Sequence, residues 1–115
     1  MSLILINGRS EEPDMHIFAL FNLKPGVSRE AYENWAKTVD MPTVNKLPSI
    51  DSFRVFRATG LLGSEASPPF GYIEVLEVND MDRFFADVAE PAMGEVAAAF
   101  GGMVEVQFLL TEELK

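Results

Sequence analysis

The sequence predicts an α+β fold of the ferredoxin-like type, βαββαβ, with a four-stranded antiparallel sheet. Two observations predict this class. Four segments rich in apolar residues have the length of strands, and amphipathic helical segments separate the first from the second and the third from the fourth. Two right-handed βαβ crossovers joined by one antiparallel hairpin then give a sheet with the strand order 4-1-3-2. The length of 115 residues suggests one domain, which we place at 15–115 after an N-terminal extension, 1–14, of uncertain role.

The first strand and the first helix follow each other from Met15. "HIFALFNL" is apolar at nearly every position, which is typical of a strand that is buried on both faces. Ser28 is predicted to cap a helix. The apolar stripe of this helix has the spacing i, i+3, i+4 and i+7: Tyr32, Trp35, Ala36 and Val39. We expect the helix to end at Asp40 and to break at Met41-Pro42, with "PTVNKL" forming one further turn that Pro42 begins.

The second half of the chain repeats the same order of elements. "DSFRVFRA" alternates as a strand does, "TGLLGSEASPPFG" has the composition of a loop, and "FGYIEVLEV" is the third strand. Asn79 or Asp80 is predicted to cap a helix that Pro91 breaks or kinks. We expect Gly101-Gly102 to end this helical segment before the fourth strand, "MVEVQFLL".

The apolar content of the strands predicts a homodimer. Helices cover only one face of a ferredoxin-like sheet, whereas strands 1 and 3 carry apolar residues on both faces. With 48% hydrophobic residues, the chain also has more apolar surface than so small a domain buries easily. We therefore expect the uncovered face to pack on a second copy, with the two sheets forming a shared barrel.

Charge and cysteine content exclude several classes of function. The formal net charge of −9 disfavours nucleic acids and anionic lipid surfaces as partners, because phosphate groups repel an acidic surface. There is no cysteine, which fits a reducing compartment such as the cytoplasm and excludes thiol chemistry. The start, "MSLILING", lacks the basic flank of a signal peptide, and no apolar run reaches the length of a membrane span.

A family resemblance adds to these inferences. "FNLKPGVSREAYENWAKTVDMPTVNKLPSIDSFRVFR" resembles the dimeric α/β-barrel superfamily and, within it, the RedY-like family of prodigiosin biosynthesis, over residues 15–114. The resemblance implies a role in making pyrrole-containing red pigments. We expect the protein to bind a pyrrole or bipyrrole intermediate and to assist an acid/base dehydration, cyclisation or condensation. An alternative is a non-catalytic protein that docks on the enzymes of pigment synthesis. Many members of the superfamily place a histidine where this chain has Asp40.

Four polar residues are expected to converge at one edge of the sheet, because strand 1 and strand 2 start there while helix 1 and strand 3 end there. They are His16, Arg54 and Glu74 on the strands and Asp40 at the end of helix 1. We assign acid/base catalysis to Asp40 and His16, since a carboxyl group beside Trp35 has the raised pKa that such catalysis needs. The substrate-binding residues expected at this site are Tyr32, Trp35, Arg54, Tyr72 and Glu74.

Each of these residues also has a structural interpretation. Asp40 suits the N-cap of the turn that follows it, and a lone His16 on a strand is commonly structural. Arg54 and Glu74 suit an ion pair across the sheet. The helical spacing of Tyr32 and Trp35 is that of core residues.

No cofactor is expected, and the choice between enzyme and binding protein stays open. One histidine and no cysteine exclude most zinc and iron–sulfur sites, although haem ligation by His16 stays open, and no phosphate-binding loop or nucleophile elbow is present. The alternatives to an acid/base enzyme are a non-catalytic carrier of a reactive intermediate and a cofactor-free monooxygenase. A carrier needs only the aromatic walls of a cavity, whereas the enzyme needs Asp40 or His16 to face that cavity.

Overall fold

The computed structural model describes residues 15–115, and the expected N-terminal extension lies outside these described residues. The four strands are β1 (Met15–Leu23), β2 (Ile50–Arg57), β3 (Tyr72–Val78) and β4 (Val104–Glu112). The helices are α1 (Arg29–Trp35), α2 (Met41–Val44), α3 (Met81–Val88) and α4 (Pro91–Met103), and a π-helical turn, Ala36–Asp40, joins α1 to α2.

The strands form one antiparallel sheet in the order β2-β3-β1-β4. This is the predicted order read from the other edge, so the ferredoxin-like α+β fold is confirmed. β1 and β3 are the central strands, and β2 and β4 form the two edges. The β2–β3 hairpin carries the long loop between Arg57 and Tyr72. Asn22 on β1 fixes the end of this loop by accepting a hydrogen bond from the Gly71 N–H at 2.8 Å.

Two predicted helix caps are confirmed. The Ser28 hydroxyl accepts a hydrogen bond from the Ala31 N–H, and Asp80, rather than Asn79, accepts one from the Arg83 N–H. Both side chains satisfy an N–H group that has no partner within the first turn of its helix. Pro91 separates α3 from α4 as predicted, because it begins the new helix at a position where no N–H is needed.

Two predicted helix ends are wrong. The backbone stays helical through Asp40 and Met41 up to Val44, so the chain does not break at Met41-Pro42. A π-helical turn precedes the proline, since the Met41 N–H donates to the Ala36 carbonyl, five residues back. This wider turn contains one extra residue and keeps the backbone helical up to the proline ring. At the other end of the chain, α4 continues through Gly101-Gly102 to Met103, since the start of β4 rather than a glycine cap ends it.

The sheet has a helix-covered face and an open face. The alternation along β1 places Ile17, Ala19 and Phe21 on the covered face, where they are buried against the helices. Phe18 and Leu20 lie on the opposite face, on which none of the described helices packs. The same side of the sheet carries an apolar patch across all four strands, here called the open-face patch: Phe18, Leu20, Phe56, Ile73, Val75 and Leu109.

None of the helices within 15–115 combines the length and the hydropathy that crossing a membrane requires.

Candidate functional site

A cavity of about 170 Å³ lies between the covered face of the sheet and the helices. Two carboxyl groups, those of Asp40 and Glu74, line it together with an otherwise apolar wall. The aromatic part of this wall consists of Phe53, Phe84, Phe100 and Phe108. Phe108 is 55% exposed and marks the mouth of the cavity on the β4 side. An apolar cavity with a few convergent polar groups is the usual form of a small-molecule site.

The π-helical turn places Asp40 inside the protein. Asp40 is the last residue of this turn and is only 4% exposed. Its side chain makes no capping hydrogen bond to α2, so the interpretation of Asp40 as an N-cap is wrong. The backbone of Asp40 is itself helical, whereas a capping residue has an extended conformation. π-helical turns are frequent at functional sites because the extra residue redirects a side chain.

The alternation along β3 places Glu74 in the same cavity. Glu74 is 4% exposed and lies on the covered face between Tyr72 and Leu76. Its register neighbour on β1 is Ala19, which is fully buried. The Oε2 atom of Glu74 is buried and has no hydrogen-bond partner among the described residues. Such an atom is costly to bury unless a ligand or water satisfies it.

Burial raises the pKa of both carboxyl groups. Desolvation raises the pKa of Asp40 to about 6. Desolvation, followed by the charge of Asp40, raises the pKa of Glu74 to about 8. Glu74 is thus still largely protonated while Asp40 titrates, and the two groups titrate as a pair. Near neutral pH the pair therefore holds one proton and one negative charge.

Tyr32 lies beside this pair. Its side chain is fully buried, and its hydroxyl has no partner that meets ordinary hydrogen-bond geometry among the described residues. Burial and the nearby charges of Glu74 and Asp40 raise the pKa of Tyr32 well above its usual value. The hydroxyl in turn lowers the pKa of Glu74, which places it near that carboxyl group. The ring packs edge-on against Phe21 and Tyr72, as expected for a core residue.

The structure does not bring His16 or Arg54 to the cavity. His16 is one residue before Ile17 and therefore points to the open face, where its ring stacks on Phe18 at 6.2 Å. Arg54 also lies on the open face and pairs with Glu77 at 3.5 Å. The expected convergence of four polar residues is thus wrong for these two, and the Arg54–Glu74 ion pair does not form. The physical reason is strand alternation, which places neighbouring residues on opposite faces.

Tyr72 takes part in a second polar cluster. A further cavity of about 170 Å³ lies beside α1 and is lined by Tyr72 and Tyr32 together with Glu33, Lys37 and Arg57. The Tyr72 hydroxyl donates to Glu33 Oε2 at 2.7 Å, and Arg57 donates to both carboxylate oxygens of Glu33 at 2.7 and 2.6 Å. Sequence reasoning missed Glu33 and Arg57, because partners that are 24 residues apart share no local pattern.

Trp35 lies behind the cavity wall rather than in it. It is half-buried and stacks on Phe100 at 6.3 Å with an interplanar angle of 18°. Phe100 is itself part of the wall. Sequence reasoning missed Phe100, Phe84 and Phe108 as wall residues because their helical or alternating spacing is also that of a plain core.

Within residues 15–115, no group of three or more His, Asp or Glu side chains is arranged to hold a metal ion. Asp40 and Glu74 together supply only two carboxylates.

Comparison with known proteins gives a family match and several similar structures. The family model described as REDY-like protein HapK matches residues 15–114. The crystal structure of HapK from Hahella chejuensis is 33% identical in sequence and has a TM-score of 0.72, covering 87% of this chain and 92% of that chain. No curated protein sequence matches the chain significantly.

More distant structures share the fold. SnoaB from Streptomyces nogalater, a cofactor-independent oxygenase, is 12% identical with a TM-score of 0.71, covering 90% of this chain and 96% of that chain. A dimeric ferredoxin-like protein of unknown function from Thermobifida fusca is 16% identical with a TM-score of 0.70, covering 90% of this chain and 93% of that chain. At these identities the similarity concerns the fold alone.

Proposed function

Because the chain belongs to the REDY-like HapK family, we propose that it acts in the biosynthesis of a prodigiosin-type pigment, a secondary metabolite. It binds a pyrrole or bipyrrole intermediate in the cavity between the sheet and the helices and assists a dehydration, cyclisation or condensation there. The observation that carries this proposal is the pair of buried carboxyl groups, Asp40 and Glu74, in one apolar cavity with aromatic walls.

The pair suits acid/base catalysis near neutral pH. The carboxyl group of Glu74, with a pKa of about 8, holds a proton that it can donate to a leaving hydroxyl group, which departs as water. Asp40, with a pKa of about 6, is ionised at the same pH and accepts a proton from a ring N–H or C–H group. Two carboxyl groups with pKa values moved apart by their surroundings are a recurring arrangement for such paired roles.

The size of the cavity bears on the ligand. At about 170 Å³ it is smaller than the pockets that enclose drug-sized ligands, which begin at about 300 Å³. One pyrrole ring therefore suits the interior, and the second ring of a bipyrrole lies at the mouth, where Phe108 is exposed.

The decisive experiment incubates the purified protein with candidate pyrrole and bipyrrole intermediates and follows their masses. We expect wild type to convert one of them, and we expect Asp40→Asn and Glu74→Gln to lose the conversion. Glu65→Gln is the matched control, because Glu65 is exposed in the β2–β3 loop and lines neither cavity.

The same experiment decides between the enzyme and its alternatives. A carrier binds an intermediate and protects it from decay without changing its mass, and its binding survives substitution of the carboxyl groups by amides. A cofactor-free monooxygenase adds oxygen to the product mass and consumes dissolved oxygen. Either outcome would contradict the acid/base proposal.

We also propose that the protein is a homodimer formed by the open faces of two sheets. The open-face patch spans all four strands and is not covered by any of the described helices. An exposed apolar patch of this extent is typical of an interaction surface. His16 and Arg54 border this patch, so in the dimer they lie at the interface rather than in the cavity.

A further inference from the structure

We propose that the Asp40–Glu74 cavity selects a planar nitrogen cation, such as an amidinium, an iminium or a protonated azole, over a neutral or anionic ring of the same shape. This inference rests on the proposed function, in that it assumes the same cavity is the ligand site. It specifies the charge of the ligand, which the proposed function leaves open.

Among the described residues, the cavity is lined by carboxyl groups and by no cationic side chain. The polar side chains that line the cavity are Asp40, from the π-helical turn, and Glu74, from β3, and Tyr32 of α1 lies beside them. The wall residues from β2, β4 and helices α2, α3 and α4 are all apolar. The ion pairs found among the described residues join Arg54 to Glu77 and Arg57 to Glu33, and neither includes the cavity carboxyl groups.

A negative charge in such a place is costly without a partner. Burial of an ionised group in apolar surroundings is unfavourable unless it is paired and hydrogen-bonded. A ligand cation supplies both the charge and the hydrogen bonds, whereas an anionic ligand adds repulsion at short distance. The cavity is therefore electrostatically complementary to a cation.

The site also contains buried hydrogen-bonding groups that no described residue satisfies. The Oε2 atom of Glu74 and the hydroxyl of Tyr32 are both buried and both lack partners among the described residues. In its ionised form the Glu74 carboxylate only accepts hydrogen bonds, so an N–H donor from a ligand satisfies Oε2 directly, and a bound cation favours this ionised form. A ring that offers only acceptors leaves this atom unpaired, which is the kind of difference that gives strong discrimination between ligands of similar shape.

The aromatic wall of the cavity also favours a cation. Phe84, Phe100 and Phe108 come from three different elements, α3, α4 and β4, and surround the same cavity as the two carboxyl groups. Aromatic rings attract a cation over their faces, most strongly where water is excluded. Their flat surfaces can also stack on a planar cation, as aromatic rings stack on guanidinium groups.

Benzamidinium and benzamide are a matched pair of probes, because they have nearly the same size and shape and differ in charge and in one donor group. We expect wild type to bind benzamidinium at least ten times more tightly than benzamide by isothermal titration calorimetry at pH 8. The double variant Asp40→Asn/Glu74→Gln should lose this preference, and Glu65→Gln should keep it.

High salt separates the cavity from general attraction to an acidic protein. At about 1 M salt, where the Debye length is about 3 Å, attraction to the exposed surface is screened, but a buried pair is screened much less. We expect the preference of wild type for benzamidinium to persist at this salt concentration. Equal binding of the two probes, a preference that high salt abolishes, or a preference that survives in the double variant would each overturn the proposal.

The outcome is distinguishable from a failure of the proposed function. The comparison of the two probes on wild type needs no variant to fold and no pathway intermediate to react. If wild type prefers benzamidinium but converts no pyrrole intermediate, the cavity binds cations and the catalytic proposal fails. If wild type converts an intermediate but does not prefer benzamidinium, the charge selectivity is wrong and the proposed function stands.

Discussion

Asp40 and Glu74 contribute their carboxyl groups to one cavity although 34 residues separate them and they lie on different kinds of element, a π-helical turn and a central strand. Each is 4% exposed. The charge of Asp40 raises the pKa of Glu74, so the two carboxyl groups titrate as a coupled pair. This coupling makes both stability and activity depend on pH in ways that can be measured.

Stability should fall as the pH rises from about 4 to about 8. The pKa values of Asp40 and Glu74 are raised on folding, from 3.8 to about 6 and from 4.5 to about 8, so in this window the native state holds more protons than the unfolded state. Each group then lowers the free energy of unfolding by at most about 1.4 kcal/mol per pH unit. We expect the melting temperature of the double variant Asp40→Asn/Glu74→Gln to depend less on pH across this window than that of wild type. An unchanged dependence on pH would contradict the raised pKa values.

Glu33 should have the opposite effect at lower pH. The hydrogen bond from Arg57, and then that from Tyr72, lower the pKa of Glu33 from 4.5 to about 2. Its contribution to stability is therefore complete above pH 4.5 and is lost as the pH falls through 2. Glu33→Gln should thus reduce the acid sensitivity of unfolding below pH 4.5 and leave the decline between pH 5 and 8 unchanged.

Asp40→Asn should affect activity far more than stability. General acid/base catalysis typically contributes about 100-fold to 10,000-fold in rate, so conversion of the intermediate should fall by at least about 100-fold. The melting temperature at pH 8 should stay within a few degrees of wild type or rise, because Asp40 makes no capping hydrogen bond and the amide removes a buried charge. Normal conversion by this variant, measured by mass spectrometry, would rule out a catalytic Asp40.

The hydroxyl group of Tyr72 should stabilise the fold, whereas that of Tyr32 should not. Tyr72→Phe removes the hydrogen bond to Glu33, and we expect a loss of about 1–2 kcal/mol in the free energy of unfolding. Tyr32→Phe is the matched control, since it removes a buried hydroxyl without a partner and should leave stability unchanged or increased. Urea unfolding measures the stability of both variants. Titration of the same variants with benzamidinium shows whether Tyr72 also contacts the ligand.

Local patterns predicted the elements of the fold well. Ser28, Asp80 and Pro91 act where the sequence predicts, because capping and the missing N–H of proline are properties of a few adjacent residues. The helix ends at Asp40 and at Gly101-Gly102 were predicted wrongly for one reason: the tertiary structure sustains helical backbone where local signals favour a stop.

The site was predictable only in part. Asp40 and Glu74 are in one cavity as expected, but His16 and Arg54 are not, because a single residue of strand register decides which face a side chain takes. The apolar residues on both faces of β1 gave no way to choose that register from sequence. The Glu33–Arg57–Tyr72 cluster depends on contacts between α1, β2 and β3 that only the folded chain defines.

Phe100 should matter more than Trp35 for ligand binding. Phe100 lines the cavity, and Trp35 stacks behind it. Phe100→Leu should weaken binding of a flat conjugated ligand by about 0.5–1.5 kcal/mol, the contribution of an aromatic contact beyond its area, whereas Trp35→Phe should change it less. A conjugated pyrrole should still quench the emission of Trp35, the one tryptophan of the chain, which provides the titration signal for wild type and Phe100→Leu. A larger loss of affinity in Trp35→Phe, measured by calorimetry, would place the ligand on the other side of Phe100.

Ile73→Glu should convert the proposed dimer to a monomer. Ile73 lies on central strand β3 in the open-face patch, and its direct register neighbours, Leu20 on β1 and Phe56 on β2, are apolar. Arg54 lies over the Phe56 ring but already pairs with Glu77. Burying the unpaired charge of the new carboxylate at an interface of roughly 1,600 Å² or more costs too much for the sheets to stay together.

Light scattering should show wild type at twice the mass of the chain and Ile73→Glu at the mass of one chain. Ala98→Glu is the control, because it adds the same charge at an exposed position of α4 and should leave the dimer intact. A monomeric wild type at micromolar concentration would contradict the proposal outright, and a dimeric Ile73→Glu variant would show that the two copies meet through another surface.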